Sequence, residues 1–424
     1  MSNLTETPAQ MTQVRLAVAT VYATAFLQGL AMVSFPASAT LLKEVKGFSD
    51  AQYGLIFIPQ IITTIAGSLA GGGLARTLGL KRLLTAALIA TGLSQLGLGI
   101  AVESIPSGPA FYFVLGCTAI FGFAFGIGAA PLNTYPGLLF PQKSDTALVA
   151  LHTLLGIGLS IGPLLAGPLA KAGVWIVYPA LGIIAAVILL VVLNLSKLPA
   201  NEMATRQSAP LAVESDESHR ENPLTSFTWW VFVGIVIFYA FAEGTFANWC
   251  IIFLHEERGI VLTQASLALS VFWAAIAGGR LLVSVLLLKI RAQWIWLTLP
   301  ILMISTFLLL PAVDSALAGI AIFALAGLSC SAFFPLSVGI VSKRFPSSSA
   351  LVSSLMIASL MIGVGTGTFV IGRLRSNLPL EQLYQYSALY PFSALVLAAL
   401  TVAGQKKGFM DKTCRMVLGR PCSD

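Results

Sequence analysis

Two charged residues, Glu243 and Arg280, stand well inside long apolar stretches of this sequence. A charge in hydrocarbon costs at least about 2.5–3.5 kcal/mol, so each of the two needs a partner, water or a function. A carboxyl group in such surroundings can take up and release a proton, or accept hydrogen bonds from hydroxyl groups. A carboxylate tied to a neighbouring helix is the structural alternative. For Arg280 we favour a place in a gate or in helix packing over contact with a ligand.

Uncharged polar side chains fall in the neighbouring stretches. His152 is the residue type that responds to pH, and it lies at the same predicted depth as Asn133. Amides in hydrocarbon need partners, and in a cavity they bind hydroxyl groups. Packing is an equal alternative for His152 and Asn133. We predict a substrate site of eight residues, with proton coupling at Glu243 and His152: Gln28, Gln60, Asn133, His152, Glu243, Asn248, Trp249 and Trp273.

The spacing within one stretch constrains this site. Asn248 follows Glu243 by five residues, which is about 140° around a regular helix. Both side chains can then face one cavity only if the helix unwinds near Gly244, which glycine permits. We therefore predict a broken helix at this point.

The elements that must position these residues are membrane-spanning helices. Of 424 residues, 57% are hydrophobic and 10% charged, and the mean hydropathy is +0.89, whereas soluble domains carry about 25% charged residues. The apolar runs are continuous rather than alternating, which favours an all-α membrane protein over a barrel. At about 20 residues per crossing, turn and charge signals predict twelve spans: 14–42, 51–75, 82–102, 109–140, 146–170, 174–196, 227–254, 262–288, 292–312, 315–342, 348–372 and 383–404.

The positive charges are distributed unevenly between the predicted loops. Seventeen of the 24 Lys and Arg residues fall on the side of the N-terminus, six fall on the other side, and Arg280 lies within a span. Cytoplasmic loops carry such an excess, so we predict that both termini are cytoplasmic. The net charge of +7 is thus a signal of orientation, and we expect no nucleic-acid partner.

One long polar stretch divides the spans six and six. It covers residues 197–226 and is predicted to be a flexible cytoplasmic linker. The sequence thus predicts an N-terminal tail and bundle, this linker, and a C-terminal bundle and tail: 1–13, 14–196, 197–226, 227–404 and 405–424.

The two halves repeat several features in the same order. Gly156-Ile157-Gly158 follows a span that ends in Phe140-Pro141, and Gly363-Val364-Gly365 follows one that ends in Phe345-Pro346. Internal repeats of this kind are typical of transporters whose substrate site lies between the repeats near the membrane midplane.

These features resemble the major facilitator superfamily over residues 14–404. The loop Gly72–Arg82 is similar to the signature loop of that superfamily, G-x-L-A-D-R-x-G-R-K, with Arg76 in place of its Asp. The resemblance implies two six-helix bundles and a cytoplasmic gate at this loop. Because the acid of the gate is absent, pairing there must use other residues, and we assign the gate to Arg76, Lys81, Arg82 and Arg280.

Within the superfamily, the chain most resembles the fucose/glucose proton-symporter group, although the membrane acids of that group in spans one and four are absent here. The residues that carry this resemblance are Glu243–Trp249, Trp273, Gly279-Arg280, Asn133, His152-Thr153, Gly156–Gly158, Gly162-Pro163 and Phe334-Pro335.

A rival resemblance is to drug–proton antiporters, whose fifth span carries G-x-x-x-G-P-x-x-G-G. Gly158–Gly167 matches the first part of that motif. The structural alternative is that these glycines only let spans five and eight approach closely.

The sequence shows no Walker-type phosphate loop, no Cys/His cluster for a metal and no nucleophile–base group. We therefore expect neither an enzyme nor a cofactor. The favoured function is secondary transport of a small polar, sugar-like solute by alternating access, coupled to protons or another ion. The alternatives are proton-driven efflux of amphipathic compounds and a non-transporting membrane sensor. We expect a monomer in the lipid bilayer of the cell's inner (plasma) membrane.

Overall fold

The computed structural model describes residues 8–196, 198, 225–345 and 349–418. In these ranges, twelve helices are long and apolar enough to cross a membrane, which confirms the predicted fold class. Almost all of the predicted linker 197–226 lies outside the described residues, so the domain boundaries stay predictions. Spans one to twelve are Thr12–Met32, Asp50–Thr77, Leu80–Glu103, Ser107–Leu139, Thr146–Lys171, Val177–Leu195, Phe227–Glu257, Leu262–Leu286, Ala292–Ala312, Ala316–Arg344, Leu355–Leu374 and Leu380–Gly404.

Several spans consist of two helices joined at a break. A proline ring clashes with the carbonyl group four residues earlier and leaves that group without its helical hydrogen bond. The breaks follow this rule, because Pro36, Pro59, Pro335 and Pro391 each lie within four residues of one of them. The paired helices are Pro8–Met32 and Ser34–Ala37, Asp50–Leu55 and Phe57–Thr77, Ala316–Cys330 and Phe333–Arg344, and Leu380–Ser387 and Leu389–Leu418.

The spans form two groups of six. In the first group, span four packs on spans two and three, and span one packs on span five. In the second group, span seven packs on spans eleven and twelve, and span eight packs on span ten. The largest contacts between the groups are those of span five with span eight and of span two with span eleven. The predicted site between the halves therefore has walls from both groups.

The glycines of span five serve close helix packing. A Cβ atom added at Gly158 would lie 2.2 Å from the carbonyl oxygen of Phe26 in span one, and one added at Gly167 would lie 2.4 Å from Ser266 Oγ in span eight. Such close approach of two helices requires glycine at both positions. Helix packing thus accounts for these glycines. We expected span eight as their neighbour, and the structure shows that span one is a neighbour as well.

We call the side of the molecule on which span one begins the inner side, following the predicted orientation, and the opposite side the outer side. The loop between spans one and two then lies on the outer side, together with the loops after spans seven and eleven.

Candidate functional site

A narrow cavity lies between the two groups of spans. Its volume is about 60 Å³, and a water needs roughly 10–15 Å³ of such volume, so a solute of several carbons requires the walls to move apart. The wall comes from spans one, two, four, five, seven, eight and eleven: Met32, Val33, Pro36, Phe57, Gln60, Ile61, Thr64, Phe125, Leu159, Glu243, Gly244, Ala247, Asn248, Trp273, Met361 and Val364.

Glu243 lines this cavity and is half-buried. Tyr239 lies one helical turn earlier, and its hydroxyl group donates to the carbonyl oxygen of Cys330 at 2.9 Å. No ion pair joins Glu243 to a cation among the described residues. The carboxyl group therefore faces the space between the two halves without an ion-pair partner among the described residues.

The predicted break in span seven is wrong. The helix Phe227–Ile252 is continuous, yet Glu243 and Asn248 both line the cavity. Gly244 and Ala247 line it as well, so the cavity covers a face about 140° wide on an intact helix. A Cβ atom at Gly244 would lie 2.5 Å from the carbonyl oxygen of Val364. This glycine lets spans seven and eleven touch rather than letting span seven unwind.

Gln60 and Trp273 carry the unpaired polar atoms of the cavity wall. Gln60 Oε1 and Trp273 Nε1 are buried and have no hydrogen-bond partner among the described residues. One is an acceptor and the other a donor. Together with the Glu243 carboxyl group they offer three hydrogen-bonding positions to a solute.

Asn248 and Trp249 are anchored to span eleven. The Asn248 side-chain amide donates to Thr368 Oγ1 at 2.8 Å, and the Trp249 indole donates to the Thr368 carbonyl oxygen at 3.3 Å. Trp249 is fully buried and packs edge-on against Tyr53 at 5.2 Å. Asn248 therefore lies on the cavity wall, whereas Trp249 lies in the packing behind it.

Gln28 lies away from the cavity. Its amide donates to Thr91 Oγ1 at 3.0 Å, in the packing of spans one and three. The Gln28 side chain is buried, and its Oε1 atom has no partner among the described residues. Its place favours a role inside the first group of spans.

His152, Asn133 and Arg280 form a second polar group nearer the inner side. His152 Nε2 lies 3.1 Å from Asn133 Oδ1, and all three side chains are exposed. Arg280 Nε donates to the Ser331 carbonyl oxygen at 3.1 Å. This carbonyl group has no helical hydrogen bond, because Pro335, four residues later, lacks an N–H group. Arg280 thus supplies the hydrogen bond that is missing at the proline break in span ten. Its positive charge also acts on His152, which belongs to the other half.

The outer side is closed by ion pairs between the two halves. Lys43 contacts Asp50 at 2.7 Å and Glu256 at 2.5 Å, and Arg375 contacts Asp50 at 3.1 Å and Glu256 at 3.5 Å. Arg375 also pairs with Glu257. We call these five residues the outer ion cluster. Lys43 and Asp50 belong to the first half and the other three to the second, so the cluster holds the halves together.

Burial lowers the pKa of Arg375, but its hydrogen bond to Glu257 and the charges of Asp50, Glu257 and Glu256 outweigh burial and raise that pKa above its ordinary value. The two backbones also touch beneath the cluster, because a Cβ atom at Gly372 would lie 2.6 Å from the Asp50 carbonyl oxygen. Spans two and eleven are therefore in close contact on the outer side.

Similarity to known proteins decides the family. The sequence model of the Major Facilitator Superfamily matches residues 21–369. The chain belongs to this superfamily. It is 25% identical over 387 residues to an uncharacterised MFS-type transporter of Yersinia pestis, covering 90% of this chain and 93% of that protein. It is therefore a membrane transporter rather than an enzyme.

Solved superfamily structures share its fold. A point mutant of the nucleoside transporter NupG superposes with a TM-score of 0.72 at 15% identity, covering 91% of this chain and 99% of that one. The D-xylose-proton symporter superposes with a TM-score of 0.70 at 16% identity, covering 91% and 96%. At these identities the likeness concerns the fold.

The signature loop of the superfamily lies at the inner side in this chain. Lys81 Nζ donates to the Ser196 carbonyl oxygen at 2.9 Å and so holds the end of span six. Arg76 and Arg82 are exposed, as is Arg280. None of these four predicted gate residues forms an ion pair with a described residue. The ion pairs that join the two halves among the described residues are on the outer side.

Two features of the site were not predicted from the sequence. Tyr239 precedes Glu243 by four residues, so it lies on the same helical face, and this spacing could have identified it. The outer ion cluster had only a weak signal, since its acids and bases come from three loops far apart in the sequence.

Proposed function

We propose that this chain is a secondary active transporter that moves a small solute bearing hydroxyl or amide groups, with a proton carried at Glu243. The observation that carries the proposal is the Glu243 carboxyl group, which faces a cavity between the two halves and has no ion-pair partner among the described residues. An isolated charge at this depth is costly. Protonation removes that cost, so movement of the carboxyl group between two aqueous sides favours the protonated form.

The surroundings of Glu243 support the same conclusion. Tyr239 lies one helical turn away on the same face, and its single hydroxyl proton goes to the Cys330 carbonyl oxygen. The charged form of Glu243 therefore receives no hydrogen bond from this neighbour, and a buried charge without such bonds is costly.

The cavity wall supports a solute with both polar and apolar faces. Gln60 Oε1, Trp273 Nε1 and Glu243 provide hydrogen bonds, and an unmade hydrogen bond at a buried group costs about 1–3 kcal/mol. A sugar-like ring satisfies such positions at its edges and lays its C–H face on aromatic side chains such as Phe57, Phe125 or Trp273. The fold neighbours whose names state a substrate act on a nucleoside and on D-xylose.

The difference between the two sides supports alternating access. The outer ion cluster and the contact of spans two and eleven close one side, while His152, Asn133 and Arg280 are exposed toward the other. We propose that the structure is the inward-facing form. We also propose that the protein lies in the cell's plasma membrane with both termini in the cytoplasm. Opening the outer side then requires the cluster to separate.

The experiment is uptake into proteoliposomes that contain the full chain. Labelled sugars, nucleosides and carboxylates are offered with and without an inward proton gradient. We expect one class to accumulate with the gradient, and Glu243→Gln to abolish accumulation while solute exchange persists. Glu103→Gln, at an exposed acid at the end of span three, is the matched control. Gradient-driven accumulation fully retained in Glu243→Gln would remove Glu243 from coupling.

Efflux of amphipathic compounds is a second candidate, favoured by the hydrocarbon wall that Met32, Val33, Ile61, Leu159 and Met361 provide. Inverted vesicles that are acidic inside and receive a lipophilic cation dye from the outside test it. Proton-driven dye movement that Glu243→Gln abolishes would favour efflux over uptake of a polar solute.

A further inference from the structure

A second cavity, of about 480 Å³, opens at the inner ends of spans nine, ten and twelve. It lies in the second group of spans and shares no wall residue with the central cavity. Arg291 and Gln293 line it from span nine, Lys343 and Arg344 from span ten, and Thr401 from span twelve. The transport mechanism proposed above does not use it.

Three cations converge on this cavity. Arg291, Lys343 and Arg344 line it, and among the side chains that the structure describes no Asp or Glu lines it or forms an ion pair with any of the three. Like charges around one space repel each other, and a bound anion relieves that repulsion. The bias of positive charge toward the inner side explains cations on this surface, but it does not require three of them around one cavity.

The first turn of span nine adds a second attraction for anions. The helix Ala292–Leu309 begins at the cavity, and no side chain caps its N-terminus and no acid lies in its first turn. The Trp294 N–H donates to the Arg291 carbonyl oxygen at 3.0 Å, which leaves the N–H groups of Ala292 and Gln293 at the end of the helix. The positive end of the helix dipole favours a negative ligand, and phosphate groups are bound at such helix ends. Ala292 and Gln293 bring this end directly to the cavity wall.

Packing and a hydrogen bond hold the floor of the cavity. Trp296 is fully buried and donates from Nε1 to Ser337 Oγ at 2.8 Å, which joins spans nine and ten. Its ring stacks between Phe232 and Phe333, each with centroids 5.8 Å away. Span nine therefore presents its N-terminus in a fixed position relative to the cations of span ten, so little ordering is needed when an anion binds.

We propose that this cavity binds a phosphate group, with Arg291, Lys343, Arg344 and the N-terminus of span nine as its ligands. The neighbouring Trp294 is 52% exposed, and exposed tryptophans of membrane proteins lie at the level of the lipid headgroups. Phosphate at that level is provided by the headgroup of an anionic phospholipid, and a basic pocket between helices on the cytoplasmic side suits such a headgroup. Free phosphate shares the same chemistry.

The test compares ligands on the full chain in a neutral detergent at constant ionic strength. Thermal unfolding is followed during titration with short-chain phosphatidylglycerol, with phosphatidylcholine and with inorganic phosphate. The variant is Lys343→Gln/Arg344→Gln, and Lys143→Gln/Lys289→Gln removes the same charge from exposed inner-side positions outside the cavity. If the first variant does not fold, Lys343→Gln alone replaces it.

We expect phosphatidylglycerol to raise the unfolding temperature more than phosphatidylcholine does. At about fivefold in affinity for each cation near a charged surface, the cavity variant should bind roughly 25-fold more weakly, and the control variant should match the wild type. A response to inorganic phosphate that the cavity variant alone loses would also support the site and identify free phosphate as a ligand. Equal responses of the cavity variant and the control variant would overturn the proposal.

Discussion

The inner and outer sides of this transporter use charge in opposite ways. On the outer side, acids and bases of both halves meet in one cluster, in which Arg375 alone contacts three carboxylates. On the inner side, the predicted gate residues and the cations of the second cavity have no acidic partner among the described residues. Charge therefore closes the outer side, whereas on the inner side we expect it to set the orientation and propose that it binds an anion. We infer from this comparison that the ion pairs on the outer side stabilise the conformation in which that side is closed.

Removal of Arg375 should have the largest effect. Arg375→Gln leaves Asp50, Glu256 and Glu257 facing one another, and breaking a buried pair in this way costs about 3–5 kcal/mol. Because Asp50 is 26% exposed, we expect about 3 kcal/mol. Electron-resonance distances between spin labels on the outer ends of spans two and eleven should lengthen. Arg373→Gln, an exposed neighbour, should leave the distances unchanged, and equal effects of the two would contradict this role of the cluster.

Gly372→Ala should open the same side without a change in charge. The added Cβ atom would lie 2.6 Å from the Asp50 carbonyl oxygen, and overpacking of this kind costs roughly 1–3 kcal/mol. The same label distances should lengthen by a smaller amount. Gly278→Ala is the control, because nothing lies within 4 Å of its added Cβ atom. An unchanged distance in Gly372→Ala would show that the backbone contact does not limit opening.

Lys81→Met should act on the inner side alone. It removes the hydrogen bond to the Ser196 carbonyl oxygen at 2.9 Å, a loss of about 1 kcal/mol. The unfolding temperature should fall slightly, and the outer label distances should stay as in the wild type. A change in those distances would mean that the signature loop also controls the outer side.

The smallest expected effect concerns pH. The pKa of Arg375 is raised above its ordinary value, so the stability that its charge provides is complete below the ordinary pKa and is lost only as the pH rises through the raised one. The difference in unfolding temperature between wild type and Arg375→Gln should therefore stay constant from about pH 7 to about pH 10. A difference that shrinks within this window would contradict a permanently charged Arg375.

Much of the fold was predictable because hydrocarbon leaves few choices. Twelve continuous apolar runs require twelve helices, and the described residues contain twelve helices of sufficient length. The breaks within spans one, two, ten and twelve were also within reach, since Pro36, Pro59, Pro335 and Pro391 lie beside them. Reasoning from span seven failed at Gly244, because the helix stayed intact and the cavity curved around it. Glycine permits both unwinding and close packing. The contact with the Val364 carbonyl oxygen, which the sequence does not reveal, shows that Gly244 serves close packing.

The site was predictable where the free-energy cost of a polar group in an apolar span is itself a sign of function. Glu243, Gln60, Asn248 and Trp273 are polar groups in apolar spans, and the structure brings them to one cavity. Gln28 and Trp249 have the same sequence signature but find partners in packing. Residue type alone cannot distinguish side chains that line the cavity from side chains that are packed, because the distinction depends on the direction in which each side chain points from its helix. The outer ion cluster escaped for a related reason, since counting Lys and Arg for orientation ignores the acids with which they pair.

The central claim is that Glu243 carries the proton, and infrared difference spectroscopy of the full chain in lipid tests it without knowledge of the solute. Difference spectra between the wild type and Glu243→Gln, recorded at one pH, report a protonated carboxyl group by its C=O stretch. We predict a carboxyl band that is present in the wild type and in Glu103→Gln and absent in Glu243→Gln. The same band in Glu243→Gln would contradict the claim.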